Sequence, residues 1–255
     1  MPTRPLENTV ALVTGASSGI GAATAIRLAA DGAAVALVAR RRERLDEVGA
    51  TIGAAGGKAL VLQADISDGS DARRAVEQAA SVLGRLDILV NNAGVMLLGA
   101  ALDAPIDEWE RMVALNVSGT LNVTRAALPH LVHAAQDSPR GVADLVNISS
   151  TAGRVARPGA GVYALTKFGI GAFSESLRQE LIGQRVRVSV VEPGVVETEL
   201  VSHLRDYIQE AVRDQVAAIE VLRPDDIADA VSYIVTRNRR VAVNELLVRA
   251  TEQEW

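Results

Sequence analysis

Val10-Ala11-Leu12-Val13-Thr14-Gly15-Ala16-Ser17-Ser18-Gly19-Ile20-Gly21 decides how the rest of the chain is read. The apolar run Val10 to Val13 has the character of a buried strand, and a helix-like pattern runs from Ile20 to Ala30. Two glycines lie between them, and a third, Gly21, follows Ile20 at the start of the helical pattern. Glycine lets the backbone turn tightly and lets a ligand approach the main chain closely. A helix start supplies unpaired N–H groups and a partial positive charge. Such a turn suits the pyrophosphate of a dinucleotide, and the hydroxyls of Ser17 and Ser18 add donors. The spacing is G-x-x-x-G-x-G rather than the commoner G-x-G-x-x-G. A glycine cluster alone is also an ordinary turn. Its place after a strand and before a helix favours phosphate binding.

The same alternation continues outward. Apolar runs at Val35–Val38, Ala59–Leu62, Leu86–Val90, Ala143–Ile148, Val186–Val191 and Glu245–Val248 are separated by longer helical patterns. The patterns fall near 43–54, 69–83, 106–117, 119–135 and 161–182. Strands this apolar are covered on both faces, as in a parallel sheet. The expectation is an α/β chain of one domain, doubly wound, with about seven parallel strands flanked by helices. No Pro/Gly linker or change of composition divides residues 1–255.

Composition narrows the partners. A net charge of -5 gives no reason to expect nucleic acid or an anionic membrane surface. The chain has no cysteine, which excludes disulfides and thiolate chemistry. His130 and His133 could share a helix face, but no carboxylate pattern completes a metal site, so no metal is expected. The opening residues lack the apolar core of a signal peptide, and no stretch reaches the length of a membrane span. A soluble cytoplasmic protein is the default expectation.

The end of the second strand bears on the choice of dinucleotide. An acidic residue there would hold the ribose 2′-OH of NAD. The place is taken by Ala39, followed by Arg40, Arg41, Arg42 and Arg44. A guanidinium at Arg40 can meet the 2′-phosphate of NADP in bidentate fashion, with Arg41 beside it. A solvated basic helix start accounts for Arg42 and Arg44, but not for the missing carboxylate. NADP(H) is the expected cofactor.

A second cluster supplies chemistry. The chain has only three tyrosines and two lysines, and Tyr163 stands four residues before Lys167 on a helical stretch. That spacing puts both on one face. Ser150 ends an apolar strand, where open α/β sheets place their ligands. A lysine ammonium should lower the pKa of a neighbouring phenol. Tyr163 could then exchange a proton with a carbonyl or alcohol oxygen while Ser150 holds that oxygen. Singly, each is also a buried aromatic, a surface lysine and a strand-end serine.

With these residues in order, the sequence resembles the short-chain dehydrogenase/reductase family along essentially its whole length. Thr14–Gly21 is similar to T-G-x-x-x-G-x-G, Asn91-Asn92-Ala93-Gly94 to N-N-A-G, and Tyr163/Lys167 to Y-x-x-x-K with Ser150 thirteen residues earlier. Pro193–Thr198 resembles P-G-x-x-x-T. The resemblance implies a Rossmann fold and a dinucleotide site made by Gly15, Ser17, Ser18, Gly19, Ile20, Gly21, Arg40 and Arg41. It further implies Asp65 and Ile66 beside adenine, and Asn92, Ala93 and Gly94 lining the cofactor channel. Pro193 and Gly194 would belong to the cofactor site, Val196 and Thr198 would hold the nicotinamide carboxamide, and Lys167 its ribose. Asn116 would complete a catalytic tetrad by positioning a water beside the lysine; alone it is also a helix-bend residue.

The end of the chain lacks the D-G-G of many members. It resembles the branch of NADP-dependent 3-hydroxy acid dehydrogenases and clavulanate-type aldehyde reductases. The implied activity is hydride transfer with a small carbonyl or alcohol substrate, in a homotetramer or homodimer built on the helices near 106–135 and 161–182. Substrate selection would fall to Met96–Leu98, to 154–161 and to a charged helical stretch, 199–223, acting as a lid. Arg154 and Arg157 are candidates for a substrate carboxylate, or solvated loop charges. An NADP-binding sensor without turnover, and a non-redox enzyme of the same fold, remain the alternatives.

Overall fold

The computed structural model describes residues 4–138 and 140–254. Seven strands form one parallel sheet: β1 Val10–Thr14, β2 Ala34–Ala39, β3 Lys58–Gln63, β4 Ile88–Asn91, β5 Ala143–Ile148, β6 Val186–Pro193 and β7 Glu245–Val248. Their order is β3-β2-β1-β4-β5-β6-β7. β1 pairs with β2 on one side, Val10 opposite Ala34, and with β4 on the other, Ala11 opposite Ile88. The winding reverses between β1 and β4, and that reversal opens a crevice at the carboxyl ends of the strands.

The helices are α1 Gly19–Ala30, α2 Arg42–Ala54, α3 Gly69–Leu83, α4 Ile106–Met112, α5 Thr120–Asp137, α6 Gly161–Leu181, α7 Asp206–Val216 and α8 Pro224–Val235. Period-two alternation along β1 divides the core. Val10 and Leu12 meet residues of α3, α5 and α6 on one face. Ala11 and Val13 meet α1, α2 and α8 on the other. Burial on both faces is why the strand runs are continuously apolar. The doubly wound sheet expected from the alternation is the fold observed.

Three elements depart from the expected pattern. The fourth strand begins at Ile88 rather than Leu86, and just before it the buried Asp87 carboxylate accepts from Val10 N at 2.9 Å and Arg85 Nε at 2.7 Å. The two helices expected at 106–117 and 119–135 are one continuous rod. A π-helical turn, Val113–Gly119, joins α4 to α5. Such single wide turns occur disproportionately at functional sites.

The third departure is α8, which the sequence pattern alone did not yield. Pro224 at its first turn, Asp225 and Asp226 at the positive end, and buried Ile227, Val231 and Ile234 at helical spacing were the available signals. It packs on α1, where Ser232 Oγ donates to Asp31 Oδ2 at 2.6 Å.

Candidate active site

The glycine turn is built for close approach. Gly15 and Gly19 have φ of +65° and +52°, the left-handed region that glycine enters without strain. A Cβ at Gly15 would lie 2.8 Å from the Ala93 Cα, and one at Gly21 would collide with the Gly15 carbonyl and the Asn92 amide. The turn is tied to the end of β4. Thr14 Oγ1 accepts from the backbone N of Asn92 at 3.0 Å and of Ala93 at 3.1 Å, while Asn92 Nδ2 donates to Thr14 O at 3.0 Å. Asn92 thus shapes the turn as well as lining the cleft. Ser18 is the N-cap residue of α1 and makes no side-chain capping bond. The first-turn amides beside Gly19 and Ile20, which line the cleft, suit a phosphate.

One cleft collects nearly all the expected residues. Gly15, Ser17, Ser18, Gly19, Ile20, Arg40, Arg41, Asp65, Ile66, Asn92, Ala93 and Gly94 line it toward the β1–β3 side. Ser150, Tyr163, Lys167, Pro193, Gly194, Val196 and Thr198 line it toward β5 and β6. Gly21 lies beneath the turn as a packing position, and Asn116 stands behind the wall. The two arginines differ. Arg40 Nη1 is 4.0 Å from the Asp65 carboxylate and largely exposed. Arg41 is engaged: Nη2 donates to Ser18 Oγ at 2.7 Å and Ser17 Oγ at 3.1 Å, and Nη1 to Glu199 Oε2 at 2.8 Å. That guanidinium holds the Glu199 carboxyl below its ordinary range. Glu199, Leu200 and His203 form the far lip, on a 3-10 turn spanning Glu199–His203.

The candidate catalytic residues sit on two buried elements. Ser150 follows β5 and caps a 3-10 turn, Thr151–Gly153, through Ala152 N at 3.1 Å. Tyr163 and Lys167 project from the first turns of α6 and are both 7% exposed. A chain of buried amides registers α6 against the sheet: Asn91 Nδ2 donates to Asn147 Oδ1 at 2.9 Å, and Asn147 Nδ2 to Ser174 Oγ at 2.8 Å. Ser149 Oγ donates to Lys167 O at 3.3 Å. Lys167 Nζ donates to Ile148 O at 2.9 Å and lies 5.7 Å from the centre of the Tyr163 ring. The acceptor at Ile148 is a backbone atom, so no residue type announced it.

Electrostatics correct one expectation. Lys167 was expected to lower the Tyr163 phenol, but burial dominates and pushes it up to about 12, with a hydrogen bond from Ser150 acting in the opposite sense. The same burial pulls the Lys167 ammonium down to about 8. Two further expected residues have protein partners. The Asn116 side chain is held by the segment after β4 and by α6. Its Oδ1 accepts from Val95 N and its Nδ2 donates to Val95 O, both at 2.8 Å, and to Thr166 Oγ1 at 3.2 Å. It pins the segment after β4 to α6 from within the π-helical turn. Arg154 is not free for a substrate carboxylate. Its Nε donates to Glu192 Oε2 at 2.7 Å, and its Nη2 meets Glu245. Arg157 is exposed in the same loop.

The cleft fits a nicotinamide dinucleotide on these grounds: a cradle that any Cβ would fill, open amides at a helix start, two arginines at one end and a buried acid–base cluster at the other. Among the described residues no cluster could hold a metal ion, and no helix is long and apolar enough to cross a membrane.

Known proteins agree with this geometry. Residues 9–209 match the family described as short chain dehydrogenase. Glycine betaine reductase ATRR of Emericella nidulans is 38% identical over 255 residues, which is 99% of this chain but only 19% of that protein. An oxidoreductase of Listeria innocua is 36% identical over 252 residues, 98% of this chain and 99% of the relative. Among solved structures, the closed form of serine dehydrogenase complexed with NADP+ superposes with a TM-score of 0.88 at 31% identity, covering 97% of both chains. A family match across most of the chain, and a relative aligned nearly end to end, agree with the sheet order and the site: the chain belongs to the short-chain dehydrogenase family of oxidoreductases.

Proposed function

We propose that this protein is an NADP(H)-dependent oxidoreductase that moves a hydride between the nicotinamide and a small carbonyl or alcohol substrate. The observation that carries the reading is a single cleft with the glycine turn, Arg40 and Arg41 at one end and Ser150, Tyr163 and Lys167 at the other. NADP rather than NAD is supported by Ala39 where an acid would hold the 2′-OH, by the two arginines after it, and by the NADP+-bound relative. Gly15 to Gly21 would hold the pyrophosphate, Asp65 and Ile66 the adenine, and Val196 and Thr198 the carboxamide, with Pro193 and Gly194 beside them.

When bound, the nicotinamide supplies or accepts the hydride. The side chains handle the proton. A phenol held at about 12 is protonated near neutral pH, so Tyr163 is a donor to a carbonyl oxygen. Ser150 shares that oxygen by hydrogen bond. Lys167, still mostly protonated at pH 7, places a positive charge beside the phenolate as it forms. Asn116 serves the set by holding the wall at Val95. Leu200 and His203 on the cleft lip support a lid role for 199–223. Exposed Ile106, Leu165 and Phe168 on α4 and α6 support a homodimer or homotetramer formed through those helices.

The test is turnover of a panel of aldehydes and ketones with NADPH, with NADH, and with NADPH deuterated at the reactive carbon. The expected result is faster oxidation of NADPH with deuterium in the alcohol. NADH preference would overturn the cofactor choice. Tight NADPH binding with no oxidation would favour the sensor, and product formed with the label retained on the cofactor would favour non-redox chemistry.

A further inference from the structure

The loop that follows β6 is held by a residue far along the chain. Gln253 is 7% exposed, and its Oε1 accepts from Val195 N at 3.0 Å, across 58 positions of sequence. Its carboxamide lies directly over Gly194. A Cβ at Gly194 would collide with it, so any side chain there would push the Gln253 carboxamide aside. Gly194 N in turn donates to Val248 O at 2.7 Å, and the turn that presents Gln253 is closed by its own N–H on Ala250 O at 3.0 Å. The loop's other edge is fixed by Leu222. Leu222 N donates to Val195 O at 3.0 Å and Glu197 N to Leu222 O at 2.8 Å. Glu252, beside Gln253, accepts from Glu220 N at 3.0 Å. Residues 250–253 therefore grip the 195–197 loop and the end of the 199–223 stretch together.

We infer that Gln253 is a positioning residue for the nicotinamide half of the cofactor. It rests on the reading that Val196 and Thr198 hold the carboxamide. Val195 is the residue before Val196, and its N–H has a buried acceptor in Gln253. Without that acceptor the N–H must find water or another partner, and the loop moves with it. The adenosine end of the cleft is built from β1 to β3 and meets this loop only past Thr198, through Glu199 on Arg41. The effect is therefore largest at the nicotinamide end, a split that a role in general stability would not produce.

The experiment measures Kd for NADPH and for 2′,5′-ADP, which lacks the nicotinamide, on the full chain and on two variants. Gln253→Met keeps length and bulk but removes the acceptor. Gly194→Ala drives a methyl into the Gln253 carboxamide from the other side. Both should weaken NADPH about three- to tenfold, the span of one hydrogen bond of ordinary strength, and leave 2′,5′-ADP within about twofold. Equal weakening of both ligands, or of neither, in a variant that retains wild-type circular dichroism would overturn the assignment. If one variant fails to fold, the other decides between the two outcomes. Wild-type protein that binds neither ligand would overturn the NADP reading and this one with it. Wild-type binding of both, with no split in the variants, would overturn Gln253 alone.

Discussion

Helix α6 lines the cleft, α7 follows the lip at Glu199–His203, and the two helices are held in opposite ways. α6 buries Tyr163, Ala164, Thr166, Lys167, Ile170, Ser174, Leu177 and Leu181. Its polar groups end on fixed acceptors, Lys167 on the Ile148 carbonyl and Ser174 on the Ile170 carbonyl. α7 has no buried side chain among those described. It is attached through exposed or half-exposed contacts such as Gln209 Nε2 on Leu204 O at 2.8 Å and Arg205 Nη2 on Leu98 O at 3.1 Å. Regions with few buried contacts open at low cost, whereas a buried helix opens only with the core. The difference separates tasks. Proton chemistry needs atoms held to a fraction of an ångström, and the proposed proton donor sits on the buried, fixed helix. Admission of substrate needs motion, and the proposed lid contains the helix with few buried contacts.

The contrast breaks most sharply at Tyr163. Tyr163→Phe removes the proton donor and leaves the ring in place. kcat/KM should fall about 10²- to 10⁴-fold, the range of a positioned general acid. NADPH affinity should stay within about twofold. A loss of less than tenfold at neutral pH would mean that the proton comes from elsewhere.

Lys167 carries a measurable cost of burial. With its pKa lowered to about 8, the folded chain releases the proton before the unfolded chain does. Between pH 8 and the ordinary lysine value near 10.5 the unfolded state binds more protons, so stability conferred at this site rises with pH; below about pH 8 it is flat. Lys167→Met lacks this dependence. The unfolding free energy of wild type minus that of the variant should climb by up to about 3 kcal/mol across that window, at 1.36 kcal/mol per pKa unit. Urea unfolding at pH 7, 8.5 and 10 measures it. A difference that stays level would show that Lys167 is solvated in the folded chain. Tyr163 titrates higher still and cancels in the subtraction.

What the sequence made legible follows the same division. Burial writes itself as apolar runs and helical spacing, so the sheet, α3 and the faces of α1 and α6 could be read from residue types. Gly15, Gly19, Tyr163 and Lys167 were legible because few residue types can do their work. The glycine turn also has a fixed place between strand and helix. The wide turn at Val113–Gly119 was not, because it differs from an α-helix by one residue of hydrogen-bond register and not by composition. Gln253 was hidden for a different reason: its partner is a backbone N–H 58 positions away, and backbone atoms carry no sequence label. Arg154 was legible as a charge but not as an occupied one.

Arg154 sharpens the comparison at intermediate strength. Glu192 lies buried at the end of β6 and takes its charge partner from Arg154, which is 41% exposed. Arg154→Ala strands that carboxylate and should cost about 1–2 kcal/mol, below the value for a fully buried pair because solvent reaches the arginine. Adding Glu192→Gln should recover part of the loss. KM for acidic and neutral substrates should change alike. A selective rise for acidic substrates would return Arg154 to the substrate site.

The smallest effect belongs to the lip. Glu199 places a carboxylate on Arg41 and beside Ser18, where an incoming phosphate seeks the same donors. The carboxylate is fixed to the 3-10 turn that begins the proposed lid, so on that proposal phosphate binding and lid position would compete for one guanidinium. Both partners are nearly half exposed, which limits the pair to a fraction of 1 kcal/mol or little more. Glu199→Gln should therefore tighten NADPH binding about two- to fivefold, and Arg41→Ala should weaken it. The gain from Glu199→Gln should shrink as salt is raised, since exposed charges are screened within about 10 Å at 0.1 M. Fluorescence titration of NADPH at two ionic strengths reads both. Weaker binding by Glu199→Gln would mean that the carboxylate orients Arg41 for the phosphate rather than competing with it, and the lip would then belong with the rigid end of the cleft.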